Sequence, residues 1–206
     1  MSLADARHWV FDMDGTLTIA VHDFPAIKRA LDIPPDDDIL HHLAALPADE
    51  AASKRAWLLE HERELAYAAT PAPGARELLH ALRERGCRLG VLTRNAHELA
   101  LVTLQAVGMG DYFVSDDILG RDEAPPKPDP GGLLHLADRW SVAPRELVMV
   151  GDYRFDLECA RPPARAAYWS TCRTTNGRSW PISMPRIAGC CTGCCLRARS
   201  ERGVCT

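Results

Sequence analysis

The segment Asp12-Met13-Asp14-Gly15-Thr16 places two carboxylates two residues apart, directly after the apolar run Trp9-Val10-Phe11. A carboxylate can attack phosphorus to form an acyl phosphate, and a neighbouring carboxylate can protonate the leaving oxygen and later activate water. Gly15 lets the backbone approach a phosphate closely because glycine has no Cβ. The segment indicates phosphoryl transfer, while an acidic turn after a strand would supply the same residues without any chemistry.

Three further segments add polar groups in a fixed order along the chain. Thr93 follows an apolar run, where its hydroxyl can hold phosphate oxygens or cap a helix. Lys127 stands in a stiff, proline-rich loop and offers a cation that can neutralise a nucleophile and a transferring phosphoryl group. Asp152 and Asp156 add carboxylate oxygens of the kind that Mg²⁺ binds. Each signal is modest alone, but their conjunction is specific.

The elements that must position these residues alternate between strands and helices. Buried-strand patterns occur in HWVF, RLGVL and ELVMV, and more weakly in DYFV. Helical patterns occur between them, in GARELLHALRERG, AHELALVTLQAVG and GGLLHLADRW. This alternation predicts an α/β fold with a parallel sheet covered by helices. In such sheets the site lies at the carboxyl ends of the strands, where Asp12, Thr93 and Asp152 fall.

Residues 21–70 interrupt this alternation. The segments FPAIKRALDI, DDDILHHLAAL and ADEAASKRAWLLEHERELAYAA predict three helices with no strand between them. We expect a small helical cap, inserted after the first strand, that covers the site and excludes water. The predicted organisation is a core of residues 1–20 and 71–161 with a cap at 21–70.

The segments DMDGT, LTRN, PPKPDP and GDYRFD resemble the four motifs of the haloacid dehalogenase superfamily of phosphatases. The resemblance covers about residues 8–161 and implies a Rossmann-like core, Mg²⁺ dependence and a phospho-aspartyl intermediate. By position the resemblance implies a nucleophile and metal ligand (Asp12), a general acid/base that binds metal through its carbonyl (Asp14), two catalytic phosphate ligands (Thr93 and Lys127) and carboxylates of the metal shell (Asp152 and Asp156). Gly15 and Arg94 are further candidates for phosphate contacts.

The insertion point of the cap resembles the branch of phosphoglycolate phosphatases and phosphoglucomutases. This implies a phosphatase for a small phosphorylated metabolite, with a phosphoglycolate-like monoester as the first guess. Two alternatives stay open: a sugar-phosphate mutase of the same superfamily, and a catalytically impaired protein whose cap or tail binds a partner. The candidates to line the substrate pocket are His22, Asp23, Arg94 and Asn95, although residues of these types more often serve as ordinary loop or capping residues.

The charge and hydropathy of the 206-residue chain limit the kinds of partner that it can bind. The net charge of −4 hides an uneven distribution, because residues 162–206 hold seven arginines against one glutamate and the remainder therefore carries −10. An acidic body argues against nucleic-acid binding. No apolar run approaches the roughly 20 residues that span a bilayer, so we expect a cytoplasmic protein without a membrane partner. The sequence does not indicate an oligomeric state.

The sequence changes character after Arg161. The small-residue turn and hydrophobic strand typical of the family do not follow, yet reading the codons of residues 167–172 one base earlier yields a mostly hydrophobic segment, almost independently of codon choice. We expect residues 162–206 to be a frameshifted, irregular tail, which would leave the strand before Asp152 without its neighbour. The alternative is a genuine Cys/Arg-rich extension that binds metal or nucleic acid, with Cys191 and Cys194 as a candidate zinc-binding pair.

Overall fold

A six-stranded sheet forms the centre of the protein. The computed structural model describes residues 3–161 and, as backbone, 165–168 and 197–198. The strands are β1 (His8–Phe11), β2 (Arg88–Leu92), β3 (Ile118–Leu119), β4 (Leu147–Gly151), β5 (Arg165–Tyr168) and β6 (Arg197–Ala198). Their order is β3-β2-β1-β4-β5-β6, with β1 to β5 parallel and β6 antiparallel to β5. The predicted α/β fold with a parallel sheet is therefore confirmed.

Seven helices accompany the sheet among the described residues. They are α1 (Phe24–Ala30), α2 (Ile39–Ala45), α3 (Ala48–Tyr67), α4 (Ala75–Glu84), α5 (His97–Ala106), α6 (Gly131–Arg139) and α7 (Arg154–Cys159). Short 3-10 turns lie at Leu3–Asp5, Gly110–Tyr112, Ser115–Asp117 and Pro144–Glu146. No helix in this described part of the chain is long and apolar enough to cross a membrane.

The core lies on both faces of the sheet. Trp9 and Phe11 of β1 pack into one apolar cluster that also holds leucines of α4 and α5. Val10 of β1 and Met149 of β4 belong to a second cluster with leucines of α6. Strands buried on both faces require nearly continuous apolar runs, as HWVF and LVMV show. This burial fixes the ends of β1 and β4, and with them the acidic residues that follow.

The helices α1 to α3 have a small apolar cluster of their own. Ile27, Leu43 and Leu58 are among its buried members. Asp23 caps α1 by accepting a hydrogen bond from the backbone N–H of Ala26 at 3.0 Å. Asp38 caps α2 in the same way. Of the two roles that the sequence left open for Asp23, pocket residue or capping residue, the structure shows the helix cap.

The strand β5 lies beside β4, with Arg165 opposite Val148 and Tyr168 opposite Gly151. The expectation that β4 lacks a neighbour on this side is therefore wrong. A ladder is formed by backbone N–H and C=O groups, so it can form even where the side-chain pattern is not that of a buried strand. The candidate zinc pair, Cys191 and Cys194, lies outside the described residues, as does most of the predicted tail.

One buried carboxylate, Asp117, joins three elements on the far side of the sheet from β4. It accepts hydrogen bonds from Arg88 Nε at 3.2 Å, Arg139 Nε at 2.8 Å and Trp140 Nε1 at 2.9 Å. Its side chain is only 1% exposed. The neighbouring Asp116 is exposed and makes one surface ion pair with Arg139.

We expect Asp117→Ala to lower the free energy of unfolding by about 3 kcal/mol, because it removes charge-assisted hydrogen bonds and leaves the buried indole N–H without an acceptor. The matched change Asp116→Ala should cost less than about 1 kcal/mol, as exposed ion pairs contribute little. Urea unfolding followed by circular dichroism measures both. Equal losses for the two variants would contradict the assignment of Asp117 as the anchor.

Candidate active site

Lys127 lies at the centre of a buried charge cluster where β1 and β4 end. Its Nζ atom donates to Asp12 Oδ1 at 2.5 Å and to Asp156 Oδ1 at 2.6 Å. The lysine side chain is 3% exposed, so these contacts are shielded from water. Asp12 directly follows β1, and its backbone N–H donates to the carbonyl of Val150 in β4 at 2.8 Å. The two strand ends and the proline-rich loop therefore meet at one point.

Three carboxylates converge beside this lysine. One oxygen each of Asp12, Asp152 and Asp156 lies within 4.8 Å of the others. The hydroxyl of Thr16 donates to Asp152 Oδ1 at 3.2 Å, and the backbone N–H of Tyr153 donates to Asp156 Oδ2 at 2.9 Å. These bonds orient the carboxylates. Clustered carboxylate oxygens are the ligands that Mg²⁺ takes in proteins.

The electrostatics of the cluster also suit a divalent cation. Burial raises the pKa of Asp12 to about 8, with the charge of Lys127 offsetting part of the effect. Burial likewise raises the pKa of Asp152 to about 6, and the charge of Asp156 adds to it. Burial alone would lower the pKa of Lys127, but the carboxylates of Asp12 and Asp156 outweigh this and raise it. The lysine stays charged, and the surplus negative charge is what a bound cation would neutralise.

Two glycines bring the backbone directly against these carboxylates. Gly15 has a φ of +89°, and a Cβ there would lie 2.3 Å from Asp152 Oδ2. A Cβ on Gly151 would lie 2.2 Å from Asp156 Cγ. Any side chain at either position would displace a carboxylate of the cluster, so the site requires glycine twice.

The carboxyl group of Asp14 has partners from a different part of the chain. Its Oδ2 accepts a hydrogen bond from Asn95 Nδ2 at 2.8 Å, and its Oδ1 lies 3.5 Å from Thr18 Oγ1 and 3.7 Å from His22 Nε2. Burial raises the pKa of this carboxyl group, while His22, Asn95 and Lys127 act in the opposite direction. A raised pKa favours the protonated carboxyl group, which is the form that can donate a proton.

The turn after β2 carries Thr93 and Arg94. Thr93 is buried, and its Oγ1 accepts a hydrogen bond from the backbone N–H of Asn95 at 3.2 Å. Arg94 donates from Nη2 to both carboxylate oxygens of Asp38 at 2.7 Å and lies over the ring of Phe155. Arg94, which was predicted to bind phosphate, is thus paired with Asp38, the residue that caps α2.

The ion pair of Glu62 with Arg121 was not predicted from the sequence. Glu62 of α3 accepts a hydrogen bond from Arg121 Nη1 at 2.9 Å, and both side chains are largely buried. The residues are 59 positions apart, and charged residues on a helix ordinarily face water. Asn95 was predicted as a pocket residue, but its bond to Asp14 was not. Its position two residues after Thr93 was the available signal.

The fold and this cluster define an α/β protein with an acidic site at the carboxyl edge of its sheet. A model of the haloacid dehalogenase-like hydrolases matches residues 7–161. The chain belongs to that family. The match ends at Arg161, where the sequence changes character.

Curated proteins and solved structures agree with this assignment. A haloacid dehalogenase-like hydrolase domain-containing protein of Arabidopsis thaliana is 31% identical over 187 residues, covering 85% of this chain and 74% of that protein. A phosphoglycolate phosphatase of Rhodospirillum rubrum is 34% identical over 188 residues, covering 74% of each. The crystal structure of a hydrolase from Pseudomonas syringae has a TM-score of 0.63 at 24% identity, covering 78% of this chain and 82% of that one. At that identity, the structural likeness shows the fold alone.

The raised pKa values predict how stability depends on pH. A carboxyl group with a pKa of about 4 in the unfolded chain and about 8 for Asp12, or about 6 for Asp152, binds its proton more tightly in the folded state. Stability should therefore fall as pH rises from about 4 to 8 in the presence of a chelator, since the folded state must give up these protons.

Mg²⁺ should reverse this loss, and more strongly at pH 8 than at pH 5, because a metal binds deprotonated carboxylates. At ten times its Kd it should contribute about 1.4 kcal/mol, which corresponds to a rise in Tm of about 3–6 °C. Differential scanning fluorimetry at both pH values measures the effect, with Asp152→Asn as the variant that should lose it. An equal rise at both pH values would contradict the assignment.

Proposed function

We propose that the protein is a Mg²⁺-dependent phosphatase that hydrolyses a small phosphorylated metabolite through a phospho-aspartyl intermediate on Asp12. The observation that carries this proposal is the buried Lys127, held between Asp12 and Asp156 beside a third carboxylate. Membership of a hydrolase family and a relative named as a phosphoglycolate phosphatase support the reaction class. The name of that relative makes a phosphoglycolate-like monoester the first substrate to compare with others.

The proposed reaction has two steps, formation and hydrolysis of the phospho-aspartyl intermediate. The Asp12 carboxylate attacks phosphorus, the ester P–O bond breaks, and Asp14 gives its proton to the leaving oxygen. Asp14 then takes a proton from water, whose oxygen attacks the same phosphorus and releases phosphate from Asp12. Lys127 stabilises the negative charge that develops on the phosphoryl group. Asn95 holds the Asp14 carboxyl group in place at 2.8 Å.

A cation would be held by the carboxylates of Asp12, Asp152 and Asp156, with the backbone carbonyl of Asp14 as the further ligand that the family resemblance implies. When bound, Mg²⁺ supplies positive charge that neutralises phosphate oxygens. Thr93 and the backbone at Gly15 bind the remaining phosphate oxygens in this proposal.

The helices of residues 21–70 act as a cap in this proposal. Two ion pairs support it, because each joins this segment to a loop at the carboxyl edge of the sheet. Asp38 pairs with Arg94 after β2, and Glu62 pairs with Arg121 after β3. A cap held in this way excludes water from the reacting groups.

Replacing the nucleophile tests the proposal most directly. Asp12→Asn should reduce Mg²⁺-dependent phosphate release from p-nitrophenyl phosphate at least about 1000-fold, because an amide cannot form the acyl phosphate. Asp23→Asn, an exposed helix cap outside the cluster, should stay within about twofold of the wild type.

Circular dichroism checks that both variants fold. Residual turnover by folded Asp12→Asn near the wild-type rate would refute the intermediate. Conversion of a sugar 1-phosphate into an isomeric sugar phosphate, without release of free phosphate, would favour the mutase alternative.

We also propose that residues 162–206 are translated out of frame. The end of the family match at Arg161 and the arginine-rich composition beyond it support this. Sequencing the gene through codon 161 in independent isolates should show one base missing from a GC-rich run. An intact run with the same tail in every isolate would refute it.

A further inference from the structure

A small cavity lies beside the carboxyl group of Asp14, between the core and α3. Ile19 and Leu65 contribute apolar wall, while Asp14, His22 and Glu62 contribute polar groups. The cavity offers about 10 Å³ to the centre of a water-sized group, which is close to what a single such group needs. Its place beside the proposed proton donor is where the leaving group of a substrate departs.

Two buried side chains at this cavity have polar atoms without a hydrogen-bond partner among the described residues. The His22 side chain is 9% exposed, and neither ring nitrogen is hydrogen-bonded. Glu62 uses Oε1 to accept from Arg121, whereas its buried Oε2 accepts from no described group. Buried polar atoms nearly always have a hydrogen-bond partner in folded proteins. Two side chains with unsatisfied polar atoms at one cavity therefore point to a ligand that forms hydrogen bonds with both.

The described residues that line the cavity include no lysine or arginine. Two arginines of the loops after β2 and β3 are already engaged, since Arg121 binds Glu62 at 2.9 Å and Arg94 binds Asp38 at 2.7 Å. A negatively charged substituent would therefore meet the carboxyl groups of Asp14 and Glu62, and no described arginine lines the cavity to pair with it.

We propose that this cavity binds a hydroxyl group of the leaving group, so that the enzyme prefers small hydroxyalkyl phosphates to carboxylate-bearing monoesters such as phosphoglycolate. The inference rests on the proposed phosphatase function, because Asp14 must be the group that protonates the leaving oxygen. A hydroxyl donates to Glu62 Oε2 and accepts from a ring N–H of His22 at the same time. A carboxylate can only accept, and a methyl group pairs with neither.

Three monoesters whose leaving groups all have two carbons separate these cases: 2-hydroxyethyl phosphate, ethyl phosphate and phosphoglycolate. With wild-type protein and saturating Mg²⁺, kcat/KM for phosphate release should be at least about tenfold higher for 2-hydroxyethyl phosphate than for ethyl phosphate. Phosphoglycolate should fall below ethyl phosphate. A value for phosphoglycolate that equals or exceeds that of 2-hydroxyethyl phosphate would overturn the proposal.

Variants of the two unpaired side chains test which groups set the preference. Glu62→Gln keeps the size and removes the charge, so kcat/KM for phosphoglycolate should rise at least about fivefold relative to ethyl phosphate. His22→Phe keeps a ring and removes both nitrogens, so the advantage of 2-hydroxyethyl phosphate over ethyl phosphate should fall to about twofold or less.

The control is Glu60→Gln, an exposed position on the same helix, which should leave all three ratios unchanged. A general loss of stability would lower all three rates together and leave their ratios unchanged. Unchanged ratios in folded His22→Phe would therefore overturn the proposal even if Glu62→Gln fails to fold.

p-Nitrophenyl phosphate distinguishes failure of this inference from failure of the proposed function. Mg²⁺-dependent release from that compound, together with equal kcat/KM for the three monoesters, would overturn the hydroxyl site and leave the phosphatase function standing. No phosphate release from any of the four compounds would overturn both.

Discussion

The structure depends on one buried lysine placed between two buried carboxylates. Taking charges out of water is costly, and a buried lysine stays charged only where opposite charges compensate for the lost water. Lys127 meets that requirement with Asp12 and Asp156, which belong to the segments after β1 and β4. The cluster can form only if both strands end at the same level and the proline-rich loop reaches them. The register of the central strands is therefore also a condition of the chemistry.

The turn after β1 separates two carboxylates that a continued strand would point the same way. Asp12 faces the lysine and the acidic cluster, whereas Asp14 faces Asn95 and His22. Gly15 permits the turn through its positive φ. Two identical functional groups thus acquire different environments two residues apart, which suits one to act as nucleophile and the other to hold a proton.

The strand ends could be predicted because a buried parallel strand needs an apolar run and its carboxyl end meets polar residues. This logic located Asp12, Thr93 and Asp152. It could not locate the pairing of Glu62 with Arg121, since that contact joins residues 59 apart and depends on how α3 lies against the core. It also failed at β5, where backbone hydrogen bonds fill a sheet edge that side-chain patterns left empty.

The two ion pairs between the helical segment and the core restrict what the site can recognise. Asp38 and Glu62 engage Arg94 and Arg121, the arginines that follow β2 and β3. In the proposed reaction, positive charge for the phosphoryl group would come from Lys127 and a bound cation at the carboxyl edge of the sheet. The proposed leaving-group cavity has polar side chains but no lysine or arginine among its described lining residues. In this proposal, the phosphoryl group is bound at the strand ends and the leaving group is contacted by α3. Changes in α3 can therefore alter substrate choice without disturbing the buried charges.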